Sequence, residues 1–251
     1  MAYSARQLAR WREEFDQDHA GCCWLTSSSY EDDDEYKAWV PDDEHEGCDA
    51  LVDFLRCTVI LNPVDKQRWL DELQFLGEES VEAYDRSLKP AQLLPRLFLG
   101  SVRDASLKDV RARGYGAVLN VAPVETRRQV HDGAVYDSLD GITYHSIDAR
   151  DQLDYDLIGR HADEAIAFLA RMGAADPEAS EGGGCLVHCA AGVNRSAALC
   201  VAFLVRVQRW TLLRAVRHVH ARRPIVLTNA SFRLQLVQLA AQEGLLDELQ
   251  S

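Results

Sequence analysis

The stretch Leu186-Val187-His188-Cys189-Ala190-Ala191-Gly192-Val193-Asn194-Arg195-Ser196 puts a thiol, a glycine-bearing turn and a guanidinium side by side, and the fold of the chain has to serve it. Apolar residues and His188 lead into Cys189 as a buried strand does, and residues 193–209 carry helical spacing. Residues 189–195 are therefore expected to form a loop between a strand end and a helix start. In such a loop the backbone N–H groups of Ala190, Ala191, Gly192, Val193, Asn194 and Arg195 converge, and the helix N-terminus adds positive potential, which makes a cradle for an anion such as phosphate. The same field, with Arg195 nearby, favours thiolate over thiol and activates Cys189 as a nucleophile. Gly192 supplies a position free of Cβ strain where the loop tightens. The plainer alternative is a buried structural cysteine at the end of a core strand.

The pattern His188-Cys189-(five residues)-Arg195-Ser196 resembles the signature of the cysteine-dependent protein tyrosine phosphatase superfamily, and its wording resembles the atypical dual-specificity phosphatases. Leu94-Pro95-Arg96-Leu97-Phe98-Leu99-Gly100-Ser101, Ala117-Val118-Leu119-Asn120-Val121-Ala122, and the run from Arg223-Pro224 through Asn229, Phe232, Gln235 and Leu236 are similar to elements of the same family. The resemblance covers roughly residues 93–242. It implies an α/β fold with a central mixed, largely parallel β-sheet flanked by helices, and hydrolysis of phosphate monoesters through a cysteinyl-phosphate intermediate without cofactor or metal. It also implies that His188 orients the loop from behind and that Asn229 supports the phosphate loop. The N-cap of the last helix is the simpler role for Asn229.

Phosphate-monoester hydrolysis spreads negative charge over the equatorial oxygens, and the planar fork of Arg195 suits two of them. The Ser196 hydroxyl is placed to donate to the Cys189 sulfur and help it leave, with helix capping as the alternative. The leaving oxygen needs a proton and the attacking water must later lose one, which a single carboxyl serves as acid and then base. Asp148, Asp151, Asp154 and Asp156 crowd the segment before a helix expected over 157–172. Alignment with the family's acid loop selects Asp151, with Asp154 and then Asp148 behind it. Ala190, Ala191, Val193 and Asn194 bring no Lys or Arg into the loop, which argues against polyphosphorylated lipids and inositols. The Asn194-Arg195 pair also resembles RNA 5'-triphosphatase relatives. A shallow pocket for phosphotyrosine and phosphoserine/threonine on a protein is the expectation, and a phosphoprotein-binding pseudophosphatase or scaffold is the alternative from another class. Cys185 and Cys200 read as packed rather than reactive.

Charge divides the chain in two. Residues 1–90 hold 22 Asp/Glu against 9 Lys/Arg, while residues 91–251 hold 18 of each, so the whole net charge of −13 lies in the first third. An acidic chain repels nucleic acid and anionic membrane, and neither partner is expected. Two domains follow: an acidic, mostly helical region over 1–90 and a catalytic domain over 91–251. Seven irregularly spaced cysteines and the need for a thiolate point to a reducing compartment, cytoplasm or nucleus, while the family resemblance implies a role in signalling. No leader, membrane-length apolar run or lipidation pattern is read.

Within the acidic region, residues 5–15 carry helical spacing, and residues 48–61 and 63–76 read as a helical hairpin with Asn62-Pro63 at its second start. Glu31 to Glu35 and Asp42 to Glu44 are too dense in charge to pack; they read as a solvated run, or as a docking tail for a basic protein partner. His19, Cys22, His45 and Cys48 are metal-ligand types, but the long acidic loop between the pairs matches no standard spacing, so no metal site is assigned.

Overall fold

The computed structural model describes residues 63–77, 89–127, 141–176 and 183–246. The chain divides into two compact units, Met1–Val59 and Ile60–Ser251, and the described residues belong to the second. The boundary expected at residue 90 thus falls inside a compact unit. The first helix of the hairpin, the acidic runs and the His19/Cys22/His45/Cys48 set lie outside the described residues.

The strands are β1 (Ala91–Leu94), β2 (Leu97–Gly100), β3 (Ala117–Asn120), β4 (Thr143–Ser146) and β5 (Cys185–His188). The helices are α1 (Pro63–Glu72), α2 (Leu107–Ala112), α3 (Pro123–Thr126), α4 (Leu157–Arg171), α5 (Arg195–Arg206), α6 (Leu212–Arg222) and α7 (Ala230–Gln242). The strands form one sheet in the order β1-β2-β5-β3-β4, with β1 antiparallel to β2 and every other pair parallel. This is the mixed, largely parallel sheet that the sequence resemblance implies. The family-like run over 94–101 takes part in a hairpin, because Pro95 interrupts it and β1 folds back onto β2.

Register decides where the site lies. Gly100 and Asn120 both sit opposite His188, and Ser146 sits opposite Asn120, so the four parallel strands end level. The segments that follow, starting at residues 101, 121, 147 and 189, leave from one edge of the sheet, where open parallel sheets gather their ligands.

Period-two alternation sends the two faces into separate cores. Leu97, Leu99, Ala117, Leu119, Cys185 and Val187 join the large core with α4 to α7, while Val118 and Leu186 join Val102, Ala105, Val110 and Tyr115 on the other face. Every residue of α5 from Arg195 to Val205 is buried, which makes it the central helix. It starts at Arg195, two residues later than its pattern suggested, because residues 193 and 194 belong to the preceding loop. Between β2 and β3 a 3-10 turn, Val102–Ala105, is followed by α2, with Ser106 accepting from the Asp109 N–H to start it.

Of the helical extension, α1 is described. Trp69 with Leu73 and Leu76 beyond it are buried in the large core, and Arg233 of α7 donates to the Leu73 carbonyl at 3.0 Å. No helix among the described residues is long and apolar enough to cross a membrane.

Candidate active site

The loop over residues 189–194 is held from outside, carbonyl by carbonyl. His188 Nδ1 lies 3.2 Å from the Cys189 oxygen, and the Val102 N–H donates to the Ala190 oxygen at 3.1 Å. Arg223 donates from Nη2 to the Ala191 oxygen (2.9 Å) and from Nε to the Gly192 oxygen (2.8 Å). The Leu227 N–H reaches the Val193 oxygen at 2.8 Å, and Ala198 N–H the Asn194 oxygen at 2.8 Å. Across a trans peptide the N–H points opposite to the carbonyl. With the carbonyls turned outward, the N–H groups of residues 191–195 face the other way, an arrangement able to cradle an anion.

Gly192 is required by space as well as by φ. Its φ is +70°, and a Cβ there would meet the Gly100 oxygen at 2.3 Å and Arg223 Nη2 at 2.7 Å. Leu227 also takes a left-handed φ, +55°, at a fully buried position, which costs about 1 kcal/mol or more and is kept by its bond into the loop.

Cys189 is 1% exposed at the base of this loop. Its Sγ accepts from the Gly192 N–H at 3.2 Å and from Ser196 Oγ at 3.3 Å, two donors suited to a sulfur anion. His188 is fully buried, and burial pushes its imidazole down to about pKa 4, so it stands neutral behind the loop. Burial likewise raises the Cys185 thiol to about 12 and the Cys200 thiol well above its ordinary value. Both are inert on that account.

Arg195, 2% exposed, forks onto a carboxylate that sequence reasoning had missed. Its Nη1 and Nη2 donate to the two Glu125 oxygens at 2.7 and 2.6 Å, and Nη1 also donates to the Ala149 oxygen at 3.0 Å. Burial works against its charge, yet Cys189, Glu125 and Asp151 outweigh burial and hold the guanidinium firmly protonated. Its Nε is buried without a hydrogen-bond partner, with Asp151 Oδ2 at 3.8 Å. The edge of the fork facing Glu125 is thus engaged while the Nε edge is free for an oxyanion.

Glu125 arrives there because Asn120 shapes the turn after β3. Asn120 Oδ1 accepts from the Ala122 N–H, and its Nδ2 donates to Thr126 Oγ1 and the Tyr144 hydroxyl, while Thr126 Oγ1 donates to the Ala122 oxygen. These bonds wind α3 and present Glu125. Its one signal in the sequence was its place just after a strand of the parallel sheet.

Among the four crowded aspartates, Asp151 is brought to Arg195. Asn194 Nδ2 donates to both of its oxygens at 3.2 Å, and Asn229 Nδ2 donates to Oδ1 at 3.0 Å. Burial raises its pKa, against the pull of Arg195, Asn229 and Asn194 in the other direction. Asp148 and Asp154 are exposed, and Asp156 caps α4 by accepting from the Gly159 N–H. Asn229 caps α7, its Oδ1 accepting from the Ser231 and Phe232 N–H groups, while its Nδ2 reaches the acid loop rather than the phosphate loop. Arg223, legible only as part of a family-like stretch, is the other support that sequence reasoning left unassigned.

Residues 97–242 match the family described as dual specificity phosphatase, catalytic domain. The chain is 35% identical over 168 residues to mouse dual specificity protein phosphatase 2, covering 66% of this chain and 47% of that protein. It is 37% identical over 164 residues to human dual specificity protein phosphatase 1, covering 65% and 40%. The chain thus spans less than half the length of these curated relatives. Among solved structures, human DUSP28 superposes with a TM-score of 0.50 at 27% identity over 61% of this chain and 93% of that one. A human tyrosine phosphatase-like serine/threonine/tyrosine-interacting protein shares the fold, with a TM-score of 0.52 at 23% identity over 62% and 97%.

Proposed function

Because the chain belongs to the dual specificity phosphatase catalytic-domain family, we propose that it hydrolyses phosphotyrosine and phosphoserine/threonine on proteins through a phosphocysteine intermediate. The observation that carries this reading is the Cys189 sulfur, with two donors on it, at the base of a loop whose N–H groups face inward between Arg195 and Asp151.

The phosphoryl group rests in the cradle, two of its oxygens on the Arg195 fork. The Cys189 thiolate attacks phosphorus, an S–P bond forms, the bond to the ester oxygen breaks, and Asp151 gives that oxygen its proton. Water then attacks the phosphocysteine and loses a proton to Asp151. The S–P bond breaks with its electrons on sulfur, where the Ser196 hydroxyl and Gly192 N–H receive them. Orthophosphate leaves.

A protein monoester is favoured over a lipid, an inositol polyphosphate or an RNA 5'-triphosphate because Ala190, Ala191, Val193 and Asn194 add no cation to the loop. The retained thiol speaks against a pure binding role. A cytoplasmic or nuclear setting follows from the need to keep Cys189 reduced, and a part in signalling from the action on phosphoproteins. Turnover of p-nitrophenyl phosphate and of paired phosphotyrosine and phosphothreonine peptides by the wild type and Cys189→Ser tests the reading. Vanadate-sensitive hydrolysis lost in Cys189→Ser is expected, and a wild type without it would sink the proposal.

A further inference from the structure

Asn194 is fully buried and stands at the N-cap of α5, yet its side chain makes no capping bond. A residue type suited to capping uses its amide elsewhere. Its Oδ1 accepts from the Asn229 N–H at 3.2 Å and from Thr228 Oγ1 at 3.3 Å. A backbone N–H can only donate, so the amide orientation is fixed and Nδ2 must face Asp151. The Asn229 amide is fixed the same way, its Oδ1 held by the Ser231 and Phe232 N–H groups. Both Nδ2 groups are therefore obligatory donors to one carboxyl group on a different loop.

The two carboxyl oxygens are not equivalent. Oδ1 accepts from Asn194 at 3.2 Å and from Asn229 at 3.0 Å, whereas Oδ2 accepts from Asn194 at 3.2 Å and otherwise faces Arg195 Nε at 3.8 Å. An oxygen covered by two amide donors leaves little room for a proton of its own. We propose that Asn194 is a positioning residue that, with Asn229, clamps the acid loop to the phosphate loop through Asp151 Oδ1, leaving Oδ2 on the phosphate side as the oxygen that carries the transferred proton. The acid is then aligned before substrate arrives, and a residue inside the phosphate loop sets its geometry. Nothing is added to or removed from the reaction: the proton on Oδ2 passes to the ester oxygen, and Oδ2 recovers one from the attacking water.

The inference rests on the phosphatase reading, and its test separates the two. Asn194→Ser removes the donor to Asp151; Asn194→Asp keeps the acceptor for Asn229 and Thr228 and turns the donor into a repelling carboxylate. kcat/KM is measured for p-nitrophenyl phosphate, whose leaving group needs little help from an acid, and for phenyl phosphate, whose leaving group needs it. Both variants are expected to lose about tenfold more on phenyl phosphate than on p-nitrophenyl phosphate, the weight of one hydrogen bond to a charged group. In an Asp151→Asn background, Asn194→Ser should cost nothing further. Equal losses on both substrates, or a full further loss in that background, would overturn the clamp while leaving the enzyme reading intact. Asn229→Ser keeps a capping oxygen and removes only the second donor, so it supplies the same substrate comparison if the Asn194 variants fail to fold. A wild type without vanadate-sensitive turnover overturns both.

Discussion

The phosphate loop and the acid loop meet at Arg195, but they are built on opposite principles. The phosphate loop is fixed through its backbone: six consecutive carbonyls from Cys189 to Asn194 have hydrogen-bond partners in the surrounding protein. The acid loop places its working group through side chains, with Asp151 held by the amides of Asn194 and Asn229 while its neighbours Gln152, Leu153 and Asp154 stay exposed. A backbone cage does not depend on the side chains of Ala190, Ala191 and Val193 along it, whereas a side-chain clamp fails with one residue. Leu153 and Val124, the exposed large apolar residues among those described, flank Asp151 and Glu125 and add to the contrast.

Variants of the two loops should differ in kind. The largest effect is expected for Arg195→Lys, which keeps the charge but loses the fork: kcat/KM should fall about a thousandfold on every substrate. Asp151→Asn should cost about a hundredfold, concentrated on poor leaving groups. Its pH profile gives the sign. Burial raises the Asp151 pKa, so the protonated acid persists above the ordinary carboxylate range and the basic limb of the wild-type profile lies correspondingly high. That limb should vanish in Asp151→Asn. If it survives, the acid is another group and the contrast between the loops breaks.

Arg223→Met removes the donors to the Ala191, Gly192 and Lys89 oxygens. Turnover should fall about tenfold, and urea denaturation should show a loss of about 2 to 5 kcal/mol, since each orphaned buried carbonyl costs about 1 to 3 kcal/mol before relaxation. Glu125→Gln loosens the far edge of the Arg195 fork and should cost about fivefold, mostly in KM for phosphate-bearing ligands. A larger loss than for Arg223→Met would mean that the fork matters more than the cage.

The smallest effect on turnover is expected from His188→Gln, whose signature is in stability. His188 has a pKa pushed down to about 4 by burial, from an ordinary value near 6.5. A depressed histidine contributes stability that is present above its unfolded pKa and lost as pH falls through the folded one. Chemical denaturation of the wild type should therefore lose about 3 kcal/mol between about pH 6.5 and 4, and His188→Gln should flatten that slope.

Much of the site was legible because its parts are contiguous. Cys189, Gly192, Arg195 and Ser196 fall within eight residues, and a strand followed by a tight loop and a helix can present them in few ways. β2, β3 and β5 were legible too, since each is a short, mainly apolar run, whereas β4, Thr143–Ser146, is polar and only partly buried. That Pro95 turns a hairpin was not legible, because the pairing of β1 with β2 is a tertiary choice.

By itself, the sequence determined the order of thiol, glycine and guanidinium from Cys189 to Arg195, the crowding of four aspartates before α4, and the division of charge between the two parts of the chain. Only the tertiary structure decided that Glu125 grips Arg195 across 70 positions, that Arg223 cages the loop across 32, and that α1 reaches the large core from before residue 90. It also showed what holds Asp151, the aspartate that family alignment selected, near the guanidinium: the amides of Asn194 and Asn229. The reason is physical: a local motif fixes backbone direction and charge, while partners brought together by level strand ends depend on register and packing, which local spacing does not encode.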